Sequence, residues 1–219
     1  MQVDYAVELG PDDPVLDLPW SSDDPSLRYY DLKNCAELIA HVPEAADHPE
    51  LGAFLTRMNA TSFSMQTAKC DAWFTTELAP EEEIFGAPGK FGCYVDLLFR
   101  EEESRIQFEK YESLAKRLCA LLKQAPEIAG SAEFMIRRCY CQVTELSNMS
   151  PKSNNATDDS TQHHPAREVT SGFYITAYIS GFGDTQDEAR QQWTIVLQLV
   201  QNALVQASVQ NTKNQFRNR

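Results

Sequence analysis

The sequence predicts an α+β fold: an antiparallel sheet made from a repeated strand–strand–helix unit, with both helices on one face, preceded by an irregular N-terminal segment. Residues 62–208 contain four runs in which apolar and polar residues alternate, as on half-buried strands. Stretches with apolar residues at helical spacing follow the second and the fourth run. One sheet with both helices on the same face would bury the apolar stripes of both helices. We therefore predict a ββα-ββα domain at 62–208, between a segment at 1–61 and a frayed tail at 209–219.

The N-terminal segment, residues 1–61, has the least regular pattern. It begins with an alternating run typical of a strand, which Gly10 and Pro11 end. An acidic, proline-rich coil follows, and its apolar residues indicate that it packs against the rest of the chain. Helical spacing returns at about 34–41 and 49–58. We expect this segment to lie on an edge of the sheet or across the face opposite the helices.

The first strand–strand–helix unit begins at residue 62. Ser62–Glu77 and Lys90–Arg100 are the predicted strands, and a loop at Ala79–Gly89 joins them. The second strand has all its odd-numbered apolar residues on one side: Phe91, Cys93, Val95, Leu97 and Phe99. A helix is predicted from about Glu102 to Lys123, and its first glutamates favour the positive end of the helix dipole.

The second unit repeats this order of elements. Ala132–Leu146 and Glu168–Phe182 are the predicted strands, and the polar loop Ser147–Arg167 joins them. A helix follows from Thr185 to about Ala207. Thr185 and Glu188 have the spacing of a capping box, in which each side chain accepts a hydrogen bond from the other residue's backbone.

The charge balance excludes more functions than it indicates. The chain has 219 residues, with 32 acidic and 19 basic ones and a formal net charge of −13. A protein that binds nucleic acid or an anionic membrane needs a surplus of basic residues, so we expect neither. No targeting segment or membrane-spanning stretch is recognisable, and we expect a cytoplasmic protein whose six cysteines are reduced.

The sheet face opposite the predicted helices is the candidate binding face, because its composition mixes aromatic and charged residues as recognition surfaces do. In the third strand we assign Cys139, Cys141 and Val143 to the helix side, which turns their neighbours to the candidate face. The alternative is that residues 1–60 or a second subunit cover this face. The residues of the candidate face are Lys69, Asp71, Trp73, Tyr94, Asp96, Arg138, Tyr140, Gln142, Tyr174, Thr176 and Tyr178.

Two groups of residues could bind a metal ion. Cys139 and Cys141 with Cys70 and Cys93 would give four thiolates, but structural zinc sites place paired cysteines in turns, so we interpret these as core thiols. The adjacent His163-His164 pair stands in the polar loop without a carboxylate or thiol at a defined spacing, and we interpret it as solvated. We therefore predict no metal and no cofactor.

No catalytic motif is present, and we predict no catalytic residues. Asp71 and Asp96 could act as an acid/base pair across neighbouring strands, or they could pair with Lys69 and Arg138 in a surface network. The leading hypothesis is a non-enzymatic binding or protein-interaction module that binds an unknown protein or a second copy of itself. The alternative is a small-ligand-binding protein or an enzyme with a polar-aromatic pocket on the candidate face.

Overall fold

The computed structural model describes residues 1–24, 27–142 and 169–217, with side chains up to residue 208 in the last range. Helices and a mixed, largely antiparallel sheet of six strands form the described part, which confirms the α+β class. The strands are β1 (Gln2–Val7), β2 (Val15–Leu18), β3 (Met65–Thr75), β4 (Gly89–Phe99), β5 (Gly130–Gln142) and β6 (Val169–Gly183). The helices are α1 (Pro43–Asp47), α2 (Pro49–Met58), α3 (Glu102–Arg105), α4 (Phe108–Leu122) and α5 (Gln186–Arg217), with short 3-10 helices at Ala36–His41 and Pro80–Phe85.

The sheet has the strand order β1-β5-β6-β4-β3, and β2 also pairs with β5. The pairs β3–β4, β4–β6 and β5–β6 are antiparallel, as predicted. The pairs that β1 and β2 make with β5 are parallel, so the prediction of an antiparallel sheet is wrong at this edge. Period-two alternation is the same in parallel and antiparallel edge strands, so the pattern could not give the strand direction.

The N-terminal edge is one strand path interrupted by a loop. β1 pairs with the first half of β5, and β2 resumes on the same strand from Arg138 to Cys141. The loop that interrupts the path contains Gly10, where the sequence predicted the end of the strand. Within this loop the backbone N–H of Gly10 donates to the Asp13 carboxylate at 2.6 Å. Of the two alternatives expected for residues 1–61, placement at an edge of the sheet is therefore the one that β1 and β2 follow. The coil expected at 11–26 contains a strand, β2, that the pattern did not predict.

The helices pack on the face of the sheet that carries the odd-numbered residues of β4. α4 and α5 place their apolar stripes here, and the largest fully buried side chain is Trp193 of α5. Its indole N–H donates to the sulfur of Cys93 at 3.2 Å. A Cβ on Gly181 of β6 would lie 2.0 Å from the backbone nitrogen of Trp193, so only glycine allows α5 to approach the sheet this closely.

Part of the N-terminal segment joins the same core. α2 buries Leu51, Phe54, Leu55 and Met58 against the sheet and α5. Upstream of α2, the buried ammonium of Lys33 donates to the backbone carbonyl oxygens of Ala60, Phe63 and Met65. A lysine thus fastens the N-terminal segment to the chain that enters β3.

Several predicted boundaries change. The helix expected from Glu102 to Lys123 is divided at Ile106, which is 49% exposed and not part of the buried stripe. At the start of α5 the backbone N–H of Glu188 donates to the Thr185 hydroxyl at 3.2 Å, and the Glu188 carboxylate accepts from the N–H of Asp184. The internal repeat stays a prediction. The expectations for Val143, for the loop with His163-His164 and for the side chains of the tail lie outside the described residues.

Candidate functional site

The sheet face that carries Tyr94 and Asp96 lies opposite α4 and α5, and we call it the second face. Strand register assigns residues to it, because directly paired residues point to the same side of a sheet. Tyr94 pairs with Asp71 and Tyr178, and Asp96 pairs with Thr176. The candidate residues on this face are Lys69, Asp71, Trp73, Tyr94, Asp96, Tyr174, Thr176 and Tyr178.

The assignment of the third strand, β5, is wrong by one residue. Arg138 pairs with Phe173, whose ring contacts Phe108 of α4, so Arg138, Tyr140 and Gln142 point to the helix side. They lie beyond the part of β5 that the helices cover, and Tyr140 is 41% exposed. The cysteines misled the assignment: the apolar residues Ala132, Phe134 and Ile136 earlier in the strand mark the correct helix-facing set.

Both ends of the second face are covered. At the end near Leu98 and Tyr174, the segment at 16–20 forms a small apolar cluster with them, and the indole N–H of Trp20 donates to the carbonyl of Ala68 at 2.7 Å. At the other end, Phe85 stacks on Phe182 with ring centroids 4.0 Å apart. The N-terminal segment therefore covers part of the second face and leaves its middle to other residues.

The middle of the second face holds a connected polar network. Arg137 donates from Nε to the Glu8 carboxylate at 2.6 Å, and from Nη1 to the hydroxyls of Thr176 at 3.0 Å and Tyr178 at 3.1 Å. The Thr176 hydroxyl in turn donates to Asp96 Oδ1 at 2.6 Å. Arg137 thus takes the role that the sequence hypothesis gave to Arg138, and Glu8 is a member that the sequence did not indicate.

Asp96 is 5% exposed, and its environment changes its acidity. Burial raises the pKa of Asp96 to about 6, against the opposing effects of the Thr176 hydrogen bond and of the charges of Arg137 and Lys69. The carboxyl group therefore titrates near neutral pH inside a network that contains a permanent positive charge.

One row of paired residues crosses the second face from edge to edge. Asp71 of β3 pairs with Tyr94 of β4, Tyr94 with Tyr178 of β6, Tyr178 with Glu133 of β5, and Glu133 with Asp4 of β1. We call these five residues the cross-sheet row. At about 4.8 Å between strands it spans about 19 Å. Its two tyrosine rings lie 6.1 Å apart, and carboxylates stand at both of its ends.

The Asp4 and Glu133 end of the cross-sheet row borders an acidic groove of about 410 Å³, which lies between β1, β5 and the 3-10 helix at Pro80–Phe85. Its charged lining consists of Asp4, Glu81, Glu82 and Glu133. Burial, and after it the nearby charges of Asp4 and Glu8, raise the pKa of Glu133. Lys90 neutralises Glu82 at 2.6 Å.

The cysteines do not form the four-thiolate group considered from the sequence. Cys139 and Cys141 lie on the second face in the apolar cluster with Leu98, whereas Cys70 and Cys93 pack on the helix side. Burial raises the pKa of Cys93 to about 12. Among the residues that the structure describes, no three His, Cys, Asp or Glu side chains are grouped so that they could hold a metal ion.

Comparisons with protein-family models, with curated proteins and with solved structures find no match for this chain. Within the described ranges, no helix combines the length and the apolar composition needed to span a membrane.

Proposed function

We propose that this chain is a protein-interaction module that binds a basic protein surface through the cross-sheet row and the acidic groove beside it. The observation that carries the proposal is the row itself. It places two part-exposed tyrosines at the centre of a patch and carboxylates at its ends, on the face opposite α4 and α5. Tyrosine and tryptophan at the centre of a patch with a charged rim are typical of protein interfaces.

The aromatic part of the patch extends beyond the row. Trp73 is part-exposed beside Tyr94, with ring centroids 6.4 Å apart. Behind the tyrosines, Arg137 lies 5.6 Å from the ring centre of Tyr178 and holds its hydroxyl, which fixes the orientation of the ring. Rings that are already ordered lose little conformational entropy on binding, and this supports a recognition role.

Charge favours a basic partner. The net charge is −13, and the exposed carboxylates of Asp4, Asp71 and Glu133 surround the tyrosines. Arg137, the basic residue of the polar network, is already paired with Glu8. A basic surface would be attracted to this patch and would offset the charges of Asp4 and Glu8, which add to the effect of burial in raising the pKa of Glu133.

The same charges disfavour self-association through this face. A two-fold interface places the same patch against itself, so with the two rows aligned the carboxylates at the ends of one row would face carboxylates of the other. Like charges facing each other across an interface are unfavourable. A different protein is therefore the better partner for the cross-sheet row.

The small-ligand and enzyme alternative has less support. A pocket on the candidate face would bring Asp96 and Arg138 together, but Arg138 points to the opposite side of the sheet. The groups that do converge, Asp96, Thr176 and Arg137, are buried and bonded to one another. A ligand would have to break these bonds before it could make its own.

The test is affinity capture on the immobilised chain, followed by titration calorimetry with the partner that it retains, after purification. Tyr94→Ala combined with Tyr178→Ala should reduce the affinity at least tenfold, because aromatic residues at interface centres contribute most of the binding energy. Tyr140→Ala is the matched control, since it removes an exposed tyrosine from the other side of the same sheet.

Four results would contradict the proposal. One is an acidic partner, the second is a partner whose affinity does not fall as salt is raised, and the third is equal loss of affinity in the control and in the double variant. A chain that retains no partner from any lysate of its source would also count against it.

A further inference from the structure

Two thiols of β5 approach each other in a closed apolar environment on the second face. The sulfur atoms of Cys139 and Cys141 are 4.0 Å apart, and the residues are 0% and 5% exposed. Leu16 and Leu18 of β2 pack over them, together with Leu98 of β4. The pair lies beyond the polar network and has no part in the function proposed above.

Strand geometry disfavours a disulfide between these thiols. Residues two apart in an extended strand have Cα atoms about 6.7 Å apart, which is the outer limit for disulfides. Both cysteines are paired in register on two sides, Cys139 with Leu16 and Gly172, and Cys141 with Leu18 and Thr170. Closing the sulfurs to bonding distance, about 2 Å, would require this part of the sheet to break its pairing.

The separation of the sulfurs suits a shared metal ion better. Two metal–thiolate bonds of about 2.3 Å, the length that zinc makes, span about 4.6 Å when collinear, so both sulfurs can reach one ion after small side-chain rotations. In the described part of the chain no third His, Cys, Asp or Glu joins them in a metal-binding group, and zinc in a structural site takes four ligands. An ion that accepts two soft ligands is therefore needed.

A basic residue packs against the strand position opposite Cys139. Arg105 packs on Gly172, the β6 residue directly opposite Cys139, where a Cβ would lie 2.9 Å from the Arg105 carbonyl oxygen and 3.0 Å from its Cγ. The contact with Cys141 and burial raise the pKa of Cys139, and the contact with Cys139 lowers the pKa of Cys141. The charge of Arg105 acts to lower the pKa of both thiols, while Glu102 opposes it at Cys141. Two thiolates and one monovalent cation carry a net charge of −1, which Arg105 balances.

We propose that Cys139 and Cys141 form a two-coordinate site for Cu(I), the soft monovalent ion that thiolates select. Binding forms two S–Cu bonds and releases the two thiol protons to solvent, and no atom changes its oxidation state. The apolar cover of β2 excludes water from the bound ion.

The test supplies Cu(I) as its bicinchoninate complex to the reduced full-length chain without oxygen. The wild type should remove one Cu(I) per chain, and Cys139→Ser combined with Cys141→Ser should lose this equivalent. Cys35→Ser combined with Cys70→Ser, which removes the two less buried cysteines, should keep it. Arg105→Gln should lower the affinity about ten- to hundredfold, as outer-shell partners of metal ligands do.

X-ray absorption on the copper-loaded wild type tests the ligands without depending on the folding of a variant. Copper with two sulfur ligands supports the proposal; three or more ligands, or nitrogen or oxygen ligands, would overturn it. It also fails if the wild type takes up no Cu(I) or prefers Zn²⁺. Mild oxidation that lowers the mass of the chain by two hydrogen atoms, through a disulfide between Cys139 and Cys141, would overturn it as well.

Discussion

The two faces of the same sheet bury their side chains by different means. The helix face is a continuous apolar core in which Trp193, Phe134 and Val95 are fully buried. The second face has an apolar cluster near Leu98 and the stacked rings of Phe85 and Phe182 at its other end, and its middle buries the charged Asp96 within a polar network. Burial of polar and charged groups costs free energy unless each finds a partner, so hydrophobic stabilisation does not explain the second face.

This difference separates residues that fold the chain from residues that are free to serve recognition. The helix face contributes most of the buried apolar area and with it most of the hydrophobic driving force. The cross-sheet row contributes part-exposed tyrosines and exposed carboxylates, whose removal changes little of the core. The comparison therefore predicts that the same substitution has unequal effects on the two faces.

The largest effect is expected from tryptophan substitutions on the two faces. Trp193→Ala should lower the free energy of unfolding by about 3–5 kcal/mol, because it leaves a large cavity under α5 and removes the contact with Cys93. Trp73→Ala, on the part-exposed second face, should cost less than half of that. Urea unfolding measures both, and equal losses would mean that the two faces contribute alike to the core.

Asp96 is expected to make the free energy of unfolding depend on pH. The pKa of Asp96 is about 6 in the folded chain, against 3.8 for the ordinary group, so between pH 4 and 6 the unfolded chain releases this proton while the folded chain keeps it. Stability due to Asp96 therefore falls as pH rises through this window, by up to roughly 3 kcal/mol for two pKa units.

The Asp96→Asn variant removes this titration and keeps an acceptor for the Thr176 hydroxyl. Its free energy of unfolding relative to the wild type should therefore rise between pH 4 and 7. Urea unfolding at several pH values, at constant ionic strength, gives this difference. A difference that does not change with pH would show that Asp96 is not buried as the network requires.

The smallest effect is expected from removal of a single hydroxyl. Tyr178→Phe takes one acceptor from Arg137, which keeps its bonds to Glu8 and Thr176, and should cost about 1 kcal/mol. Tyr140→Phe, on the other side of the sheet, should cost less, since Tyr140 is largely exposed. Thermal unfolding compares the two, and the reverse order would contradict the network.

The sequence by itself determined the α+β class, the elements of residues 62–208 in the order in which they occur, and the facing of β4 and β6. Alternation in β4 and β6 was regular, so Tyr94, Thr176 and Tyr178 were assigned correctly. Local periodicity carries this information because side-chain direction depends only on position along a strand. In β5 the early apolar residues occupy even-numbered positions and the cysteines odd-numbered ones, so the two sets predict opposite facings. The assignment followed the cysteines and was wrong.

Only the tertiary structure decided which residues, distant in the chain, are in contact. The parallel edge formed by β1 and β2, the pairing of Arg137 with Glu8, and the packing of Arg105 on Gly172 opposite Cys139 join residues that are distant in the chain. No local pattern records such contacts, since they depend on strand order and on how the loops return. The cross-sheet row is the clearest case: the sequence assigned Asp71, Tyr94 and Tyr178 to one face, but only strand register aligned them with Glu133 and Asp4.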